Sequence, residues 1–294
     1  MDNEATQLEH PEILVSTDWL ADRLGDVNLR IFDCTTHLLP HPTKPYTVGS
    51  GQPDYDAGHI PGAAFLNLQE EFSDPNSEYR FKFPSPELFA AAAGRNGLGD
   101  GTTAVLYSTT SPQWATRFWW MLRAFGFQNA KVLDGGYIKW IKEGRSVSTE
   151  TSTYPEATFT PRPHDGLIVQ KEEVLAAIGD GSICTINALS VEQHKGSGGR
   201  AYGRIGRIAG SVNVPTAELL DPETNAFLPS DEIAARFVGV GADTSERILT
   251  YCGGGIAASA TAMLLVMLGY ENVGLYDNSL SEWSKDENLP METG

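Results

Sequence analysis

One cysteine of this chain stands where a nucleophile could form. Cys252 ends a predicted strand and is followed by three glycines, two apolar residues and a predicted helix. Glycines let several backbone N–H groups turn toward one atom, and the start of a helix adds the positive end of its dipole. Such donors stabilise a thiolate, and equally an extra anionic sulfur attached to it. The sequence therefore predicts a nucleophilic Cys252 in a cradle of five residues: Gly253, Gly254, Gly255, Ile256 and Ala257.

The other two cysteines lack this setting. Cys34 and Cys184 each lie at the first predicted strand of their half of the chain, without glycine-rich neighbours. We interpret both as small hydrophobic residues of a core. For Cys252 the competing interpretation is an inert cysteine beside a flexible loop, which the order of strand, cysteine, glycines and helix disfavours.

A basic segment could supply the charge that an anionic substrate needs. Three glycines precede Arg200, which predicts a loop rather than a helix. Arg200 is the first candidate for binding an anion, because a guanidinium holds a carboxylate or sulfonate through two parallel hydrogen bonds. The alternative is a solvated basic loop without a ligand. Four cations fall within 13 residues here: Lys195, Arg200, Arg204 and Arg207.

The elements that must position these residues occur twice along the chain. Asp134 and Asp277 are 143 residues apart, and Trp140 and Trp283 are separated by the same number. Short strands alternating with helices of about ten residues predict an α/β fold, with one parallel sheet flanked by helices in each half. The predicted strands are 29–33, 104–108, 131–134, 182–187, 248–252 and 273–277, and the predicted helices are 17–24, 115–125, 171–178 and 258–268.

The repeat also sets the predicted domain boundaries. The stretch between the halves is rich in Thr, Ser and Pro and has no sustained period, so we interpret it as a linker. We expect domains over residues 1–143 and 167–294, with the linker at 144–166. In the first domain Ser108 takes the position of Cys252, which predicts that this domain is catalytically silent.

Composition argues against several classes of function. The net charge is −17, from 21 basic and 38 acidic residues, so nucleic acid and anionic membranes are unfavourable partners. No stretch reaches the roughly 18 apolar residues of a membrane helix. The first ten residues lack the apolar core of a secretory signal. Three cysteines without disulfide or zinc spacing lead us to expect no metal, no cofactor and a reducing, cytoplasmic setting.

Together with the repeat and the Cys252 loop, further motifs resemble the two-domain rhodanese family, which includes thiosulfate and 3-mercaptopyruvate sulfurtransferases. The resemblance runs from about Leu14 to Pro290. It implies two tandem rhodanese-like domains, with the active cysteine in the C-terminal one. The motifs are Gly58-His-Ile-Pro-Gly-Ala63, its counterpart Gly206-Arg-Ile-Ala-Gly-Ser211, Arg117-Phe-Trp-Trp-Met-Leu-Arg123 and Leu133-Asp-Gly-Gly136.

The resemblance also implies a double displacement. The thiolate takes the sulfane sulfur of a small anionic donor as a persulfide, and an acceptor (a thiol, cyanide or a thioredoxin-like protein) then removes that sulfur. By the same resemblance the basic loop faces the active cysteine.

This sequence departs from the motifs of both the thiosulfate and the mercaptopyruvate type. The thiosulfate type has cations directly after the cysteine, where this chain has Gly253 and Gly254. The mercaptopyruvate type has hydroxyl residues where this chain has Gly254 and Ala257. The family's Asp-Ala-Arg appears as Asn187-Ala188-Leu189, so one substrate-binding arginine is missing. The donor therefore stays open between these two types.

Two other functions compete with a sulfurtransferase. A phosphatase of the Cys-x5-Arg type needs an arginine six positions after the cysteine, and this chain has Ala258 there. A persulfide carrier or sensor that delivers sulfur to a protein partner is the stronger alternative. The lost hydroxyls and the missing arginine favour the carrier, whereas the Cys252 loop and the basic loop favour an enzyme.

We expect Ser108→Ala to leave turnover unchanged within about a factor of two, because a hydroxyl without an activating base contributes little to catalysis. Steady-state kinetics with cyanide as the acceptor measure this. A large fall in kcat would show that the N-terminal loop takes part in the reaction.

Overall fold

The computed structural model describes residues 8–294, which divide into two compact units. The N-terminal unit comprises residues 12–164 and 222–226. The C-terminal unit comprises residues 8–11, 165–221 and 227–294. Each unit has its own five-stranded sheet and its own cluster of buried apolar side chains.

Strands and helices alternate along much of the N-terminal unit, as the sequence predicts. Its strands are β1 Leu14–Val15, β2 Leu29–Asp33, β3 Thr36–Leu39, β4 Thr47–Ser50, β5 Ala64–Phe65, β6 Thr103–Tyr107 and β7 Ala130–Leu133. Its helices are α1 Thr17–Ala21, α2 Gln52–Ala57, α3 Leu68–Glu71, α4 Pro86–Arg95, α5 Gln113–Ala124 and α6 Gly136–Lys142.

The C-terminal unit repeats this alternation with shorter edge strands. Its strands are β8 Ile168–Val169, β9 Ile183–Asn187, β10 Arg207–Ile208, β11 Val212–Asn213, β12 Arg247–Tyr251, β13 Val273–Tyr276 and β14 Met291–Glu292. Its helices are α7 Lys171–Ala177, α8 Val191–Lys195, α9 Ser230–Val238, α10 Ile256–Met267 and α11 Ser279–Trp283.

The two large sheets have the same strand order. It is β1-β7-β6-β2-β5 in the N-terminal unit and β8-β13-β12-β9-β11 in the C-terminal unit, and every neighbouring pair is parallel. The register also matches, because Asp33 lies beside Tyr107 in one sheet and Asn187 beside Tyr251 in the other. The predicted α/β fold with two tandem parallel sheets is confirmed.

The central elements follow from their side chains. After their first residues, β6 and β12 are buried throughout and apolar except for Thr250, the pattern of parallel strands covered on both faces. α10 is apolar on all sides, and every residue in it except Ala257 is buried. Serine side chains cap three helix starts: Ser16 accepts from the N–H of Trp19, Ser85 from that of Leu88 and Ser190 from that of Gln193.

Most of the predicted strands and helices lie within two residues of those in the structure, but one helix and the basic loop need correction. The helix predicted over 17–24 ends at Ala21, because the N–H of Arg23 bonds to the carbonyl of Leu20 and the chain turns. The sequence predicts a basic loop from Lys195, but in the structure the loop begins one residue later. Lys195 is the last residue of α8, and Gly196 ends that helix in the left-handed conformation, at φ +71°.

The segment with linker-like composition packs along the N-terminal unit as far as His164. The ring of Tyr154 contacts that of Phe32 edge to face, and Phe159 is buried against Phe89. These contacts place the segment up to residue 164 in the first compact unit.

A buried carboxyl distinguishes the two otherwise matching sheets. Asp33 is fully buried at the end of β2, and Asn187 occupies the same position in β9. Their Oδ1 atoms accept the backbone N–H two residues later, from Thr35 and from Leu189, both at 2.9 Å. Burial raises the pKa of Asp33 to about 6, although the hydrogen bonds of Thr35 oppose this shift. The C-terminal unit avoids a buried charge by using an amide.

We expect Asp33→Asn to stabilise the N-terminal unit, and to do so more at about pH 8 than at about pH 5.5. In the unfolded chain the carboxyl ionises near its ordinary pKa of 3.8, whereas in the folded protein it stays neutral up to a pKa of about 6. The folded protein therefore loses stability relative to the unfolded chain as the pH rises through about 6. Since the amide does not ionise, the stabilisation by the variant grows by on the order of 1 kcal/mol between the two conditions. Urea denaturation of both proteins at both pH values measures this difference.

Asn187→Asp is the reciprocal variant. It introduces the buried carboxyl into the C-terminal unit, which we expect to lose stability, most strongly at the higher pH. A stabilisation by Asp33→Asn that is equal at both pH values would contradict an ionised, buried Asp33.

Candidate active site

The glycine loop carries the chain from β12 into α10 at Cys252. Cys252 follows β12 directly, and its side chain is buried, with 2% exposed. Gly255 precedes α10 at φ +75°, a left-handed conformation that glycine adopts without strain. The 12 residues of α10 are enough for its first N–H groups to carry the positive end of the helix dipole. Residues 253–257 thus form one continuous loop and helix start next to the thiol.

The start of α11 fixes the backbone around the thiol. The N–H of Cys252 donates to Oγ of Ser279 at 3.0 Å, and the carbonyl of Cys252 accepts the N–H of Leu280 at 3.1 Å. The carbonyl of Gly253 accepts both the N–H and the hydroxyl of Ser281, at 2.8 and 2.6 Å. Four hydrogen bonds therefore hold two successive residues of the loop.

Ser279 keeps a strained backbone while it does this. Its φ is +49°, in the region that disfavours side chains other than glycine, whereas the equivalent residue of the N-terminal unit is Gly136 at φ +52°. Its hydroxyl donates to the carbonyl of Tyr276 at 2.7 Å as it accepts from Cys252. The sequence analysis missed Ser279, although its place four residues before the repeated Trp283 was a usable signal.

The basic loop contacts the cysteine loop through an aromatic ring. The ring of Tyr202 lies against Gly253, where a Cβ on the glycine would overlap it. Gly253 has no positive φ, so a side chain there would meet no backbone strain but would displace the end of the Tyr202 ring. This contact lies within the C-terminal unit and joins two of the predicted site segments.

Arg200 lies in a backbone that its neighbours fix. Its carbonyl accepts a hydrogen bond from Nε2 of Gln193 at 2.8 Å, and Gly199 before it has φ +77°. A Cβ at Gly199 would lie 2.5 Å from Cγ of Gln193, so the loop packs closely against α8. Arg200 and Tyr202 line a cavity of about 220 Å³ together with Leu280 of α11.

Arg204 is engaged in holding the backbone of the last segment. Its Nε donates to the carbonyl of Ser284 at 3.3 Å, and its Nη2 donates to three further carbonyls, those of Trp283, Asp286 and Leu289. These four hydrogen bonds brace the backbone of the segment 283–289.

Arg207 and Lys195 also lie beside the last segment. Arg207 forms an ion pair with Glu292 at 3.2 Å and donates to the carbonyl of Gly294 at 2.7 Å. The side chain of Lys195 is exposed, and its carbonyl accepts the N–H of Gly294. Of the four predicted cations, Arg200 and Arg204 line the cavity beside the cysteine loop, whereas Lys195 and Arg207 do not.

The corresponding loop of the N-terminal unit has a serine in place of the cysteine. Ser108 is buried directly after β6, and its hydroxyl donates to the carbonyl of Ser111. Its carbonyl accepts the N–H of Tyr137 at 3.1 Å, as that of Cys252 accepts from Leu280. The backbone contact is repeated, whereas the thiol is not.

Within residues 8–294, no group of three or more His, Cys, Asp or Glu residues is arranged to hold a metal ion. None of the helices in this range has the length and apolar character needed to cross a bilayer.

Comparison with known proteins agrees with this architecture. A family model described as a rhodanese-like domain matches residues 16–143 and again 172–286. Thiosulfate sulfurtransferase of Gallus gallus is 32% identical over 276 residues, covering 92% of this chain and 92% of that protein. Sulfur carrier protein TtuD of Thermus thermophilus is 29% identical over 297 residues, 97% of this chain and 98% of that protein. The crystal structure of SseA, a 3-mercaptopyruvate sulfotransferase of Escherichia coli, matches with a TM-score of 0.76 and 29% identity over 92% of this chain and 99% of that one. The chain therefore belongs to the rhodanese family of sulfurtransferases.

Proposed function

We propose that this protein transfers a sulfane sulfur from a small anionic donor to a thiophilic acceptor through a persulfide on Cys252. The observation that supports this most is the backbone of Cys252 and Gly253, which four hydrogen bonds fix in a glycine loop at the start of α10. The activity of the family and this local geometry point to the same residue.

The first half-reaction loads the enzyme. The Cys252 thiolate attacks the outer sulfur of the donor, a new S–S bond forms, and the rest of the donor leaves with the electron pair of the broken bond. The negative charge now lies on the terminal sulfur of the persulfide. We assign its stabilisation to the backbone N–H groups of residues 253–257 and to the dipole of α10, which are in place before the charge arrives.

The second half-reaction regenerates the thiolate. A thiol, cyanide or a thioredoxin-like protein attacks the terminal sulfur, and Cys252 leaves as the thiolate. Two displacements at sulfur replace one difficult transfer, which is the advantage of covalent catalysis. The thiol must stay reduced between turnovers, so we propose the cytoplasm as its compartment.

In this proposal Arg200 binds the negatively charged group of the donor, and only the C-terminal domain is catalytic. Arg200 lines the cavity beside the cysteine loop, and it follows the glycines of the basic loop. Arg204 also lines this cavity but donates to four backbone carbonyls, and Arg207 forms an ion pair with Glu292. In the N-terminal domain, Ser108 has an alcohol in place of a thiol and so no nucleophile comparable with a thiolate.

A persulfide carrier is the second candidate. The similarity to a protein named as a sulfur carrier favours it, as does Leu189 at the position where the family resemblance implies an arginine. A carrier would accept one sulfur and keep it until a partner protein arrived. Multiple turnovers with a small donor and cyanide would support the enzyme.

We expect Cys252→Ser to abolish both turnover and the mass gain of one sulfur atom on incubation with donor. A serine hydroxyl has no thiolate character at neutral pH, so the first displacement cannot occur. Intact-protein mass spectrometry and steady-state kinetics measure the two effects, and circular dichroism checks that the fold is retained.

Cys34→Ser and Cys184→Ser are the matched controls. Burial raises the pKa of both native thiols, that of Cys184 to about 11, so neither is a thiolate at neutral pH. We expect both variants to load sulfur as the wild type does. Sulfur loading that persists in Cys252→Ser would assign the nucleophile to one of them.

We expect Arg200→Ala to raise KM strongly and to change kcat less, because the clamp holds the donor both before and during transfer. A charge-assisted hydrogen bond contributes roughly 1.5–3 kcal/mol, so kcat/KM should fall on the order of ten- to a hundredfold. Arg200→Lys should recover only part of this, since an ammonium lacks the planar fork. Steady-state kinetics at low and high ionic strength measure both variants.

Arg236→Ala is the matched control for charge. Arg236 lies exposed on α9 of the same unit and pairs with Glu218, so its loss changes the net charge equally but leaves the cavity of Arg200 intact. Equal kinetics for the two alanine variants would rule out Arg200 as the donor clamp.

A further inference from the structure

The turn that leads from β13 into α11 supports the backbone of Cys252. It comprises residues 276–279, and the hydroxyl of Ser279 at its end accepts the N–H of Cys252 at 3.0 Å. Glu282 lies three residues further along α11, and its carboxylate binds back to this turn. We propose that Glu282 positions Cys252, by holding the strained turn from which Ser279 accepts the cysteine N–H. This inference rests on the proposed function and adds a positioning residue to it.

Two hydrogen bonds join the turn to one oxygen of this carboxylate. The hydroxyl of Tyr276 donates to Oε2 of Glu282 at 2.8 Å, and Nδ2 of Asn278 donates to the same atom at 3.1 Å. Tyr276 and Asn278 are both buried, so their donors need a partner within the protein. A carboxylate accepts hydrogen bonds and does not donate them, which orients the amide nitrogen of Asn278 toward Glu282. The carboxylate thus connects the first and the third residue of the turn.

Two residues of the turn are unfavourable on local grounds. Ser279 has φ +49° and is one of three non-glycine residues within 8–294 with a positive φ. Oδ1 of Asn278 is buried and has no hydrogen-bond partner among the same residues. A strained conformation and a buried acceptor without a partner persist only where surrounding contacts fix them. The hydrogen bonds to Glu282 supply such contacts at the residues that precede Ser279.

Ser279 passes this restraint on to the cysteine. Its hydroxyl donates to the carbonyl of Tyr276 at 2.7 Å while it accepts from Cys252, so a rotation of its side chain would break both hydrogen bonds. Tyr276 in turn is held at its own hydroxyl by Glu282. A displacement of the turn would therefore move the N–H of Cys252 and change how the glycine loop surrounds the thiol. A thiolate with fewer aligned N–H donors is less stable and forms at a higher pH.

The N-terminal unit lacks this device at the equivalent positions. Its turn has two glycines, Gly135 and Gly136, which take φ +76° and +52° without strain. Lys139 packs on Gly135, with its Cβ 2.5 Å from where a Cβ of the glycine would lie, and it forms an ion pair with Asp134 at 3.7 Å. The carboxylate and its donors thus accompany the cysteine and not the serine. The equivalent pairs are Tyr276 and Leu133, Asn278 and Gly135, Ser279 and Gly136, and Glu282 and Lys139.

Glu282→Ala tests the role of the carboxylate through the reactivity of the thiol. The rate of alkylation by iodoacetamide is measured against pH in a Cys34→Ser, Cys184→Ser background, where Cys252 is the remaining cysteine. We expect the inflection to move to higher pH by about half a unit or more, because part of the N–H stabilisation of the thiolate is lost. Sulfur loading at neutral pH, followed by intact mass with thiosulfate and with 3-mercaptopyruvate, should slow by about fivefold or more.

Two further variants identify what the carboxylate contributes. Glu282→Gln keeps a carbonyl oxygen for both donors, so loading should stay within about threefold of the wild type. Glu287→Ala removes the same charge from an exposed residue beyond α11 and should leave the alkylation profile unchanged. Circular dichroism and urea denaturation show whether each variant is folded.

A double-mutant cycle shows whether Glu282 acts through Ser279. Ser279→Ala removes the hydroxyl that accepts the cysteine N–H. In that background Glu282→Ala should change the alkylation profile and the loading rate by no more than about twofold, since the contact that it supports is already absent. A merely structural role of Glu282 would instead lower stability equally in both backgrounds and leave the alkylation inflection in place.

Two results would overturn the inference. One is a folded Glu282→Ala protein whose alkylation inflection lies at the wild-type pH. The other is additivity of Ser279→Ala and Glu282→Ala, which would show that the two residues act independently. If Glu282→Ala does not fold, Asn278→Ala decides, because it removes one donor and leaves the carboxylate bound to Tyr276. An upward shift of its inflection supports the inference, and a wild-type inflection overturns it.

The proposed function can fail separately from this inference. A wild-type protein that gains no sulfur from thiosulfate or from 3-mercaptopyruvate, judged by mass, would overturn the proposed function. The alkylation profile needs no sulfur donor, so it would still decide whether Glu282 positions the thiol.

Discussion

The site depends on the hydrogen bonds that hold Cys252 and Gly253 against the start of α11. A loop of consecutive glycines has much conformational entropy to lose, so it surrounds a thiolate with N–H groups only if other residues fix its shape. Ser279, Leu280 and Ser281 provide that restraint from a segment that follows the neighbouring strand β13. The parallel sheet makes this possible, because β12 and β13 end at the same edge and release their following residues side by side.

The duplicated framework separates what the fold requires from what the chemistry requires. Both units share the strand order and the register. In both, the helix α6 or α11 also donates a backbone N–H to the carbonyl of the residue that follows the central strand. They differ at the residue after the central strand, which is Ser108 in one unit and Cys252 in the other. They differ again at the start of α6 and α11, where Gly136 and Ser279 have nearly the same left-handed backbone conformation. Only the unit with the cysteine bears the strain of a side chain there. The added hydroxyl accepts the N–H of Cys252, so the strained residue is the one that positions the proposed nucleophile.

Much of this arrangement could be predicted because its signals are local. Buried runs, glycines and the 143-residue period specify strands, turns and the repeat, and they place Cys252 correctly after a strand. The contacts that shape the site could not be predicted, because they join residues far apart in the chain. Nothing near Tyr202 in the sequence indicates that its ring occupies the space at Gly253. Likewise, composition counts Arg204 and Arg200 as equal cations, and only the carbonyls around Arg204 distinguish them.

The brace formed by Arg204 also bears on the order in which the C-terminal unit folds. The carbonyls that it binds lie 79 to 85 residues further along the chain. Contacts of such large sequence separation require a long loop to close first, which makes them late events in folding. β12, α10 and β13 can assemble earlier, because their mutual contacts join residues that are nearer in the chain. During synthesis, the basic loop therefore acquires its final shape only after segment 283–289 has left the ribosome, and the nascent chain contains Cys252 before the loop that contacts it is fixed.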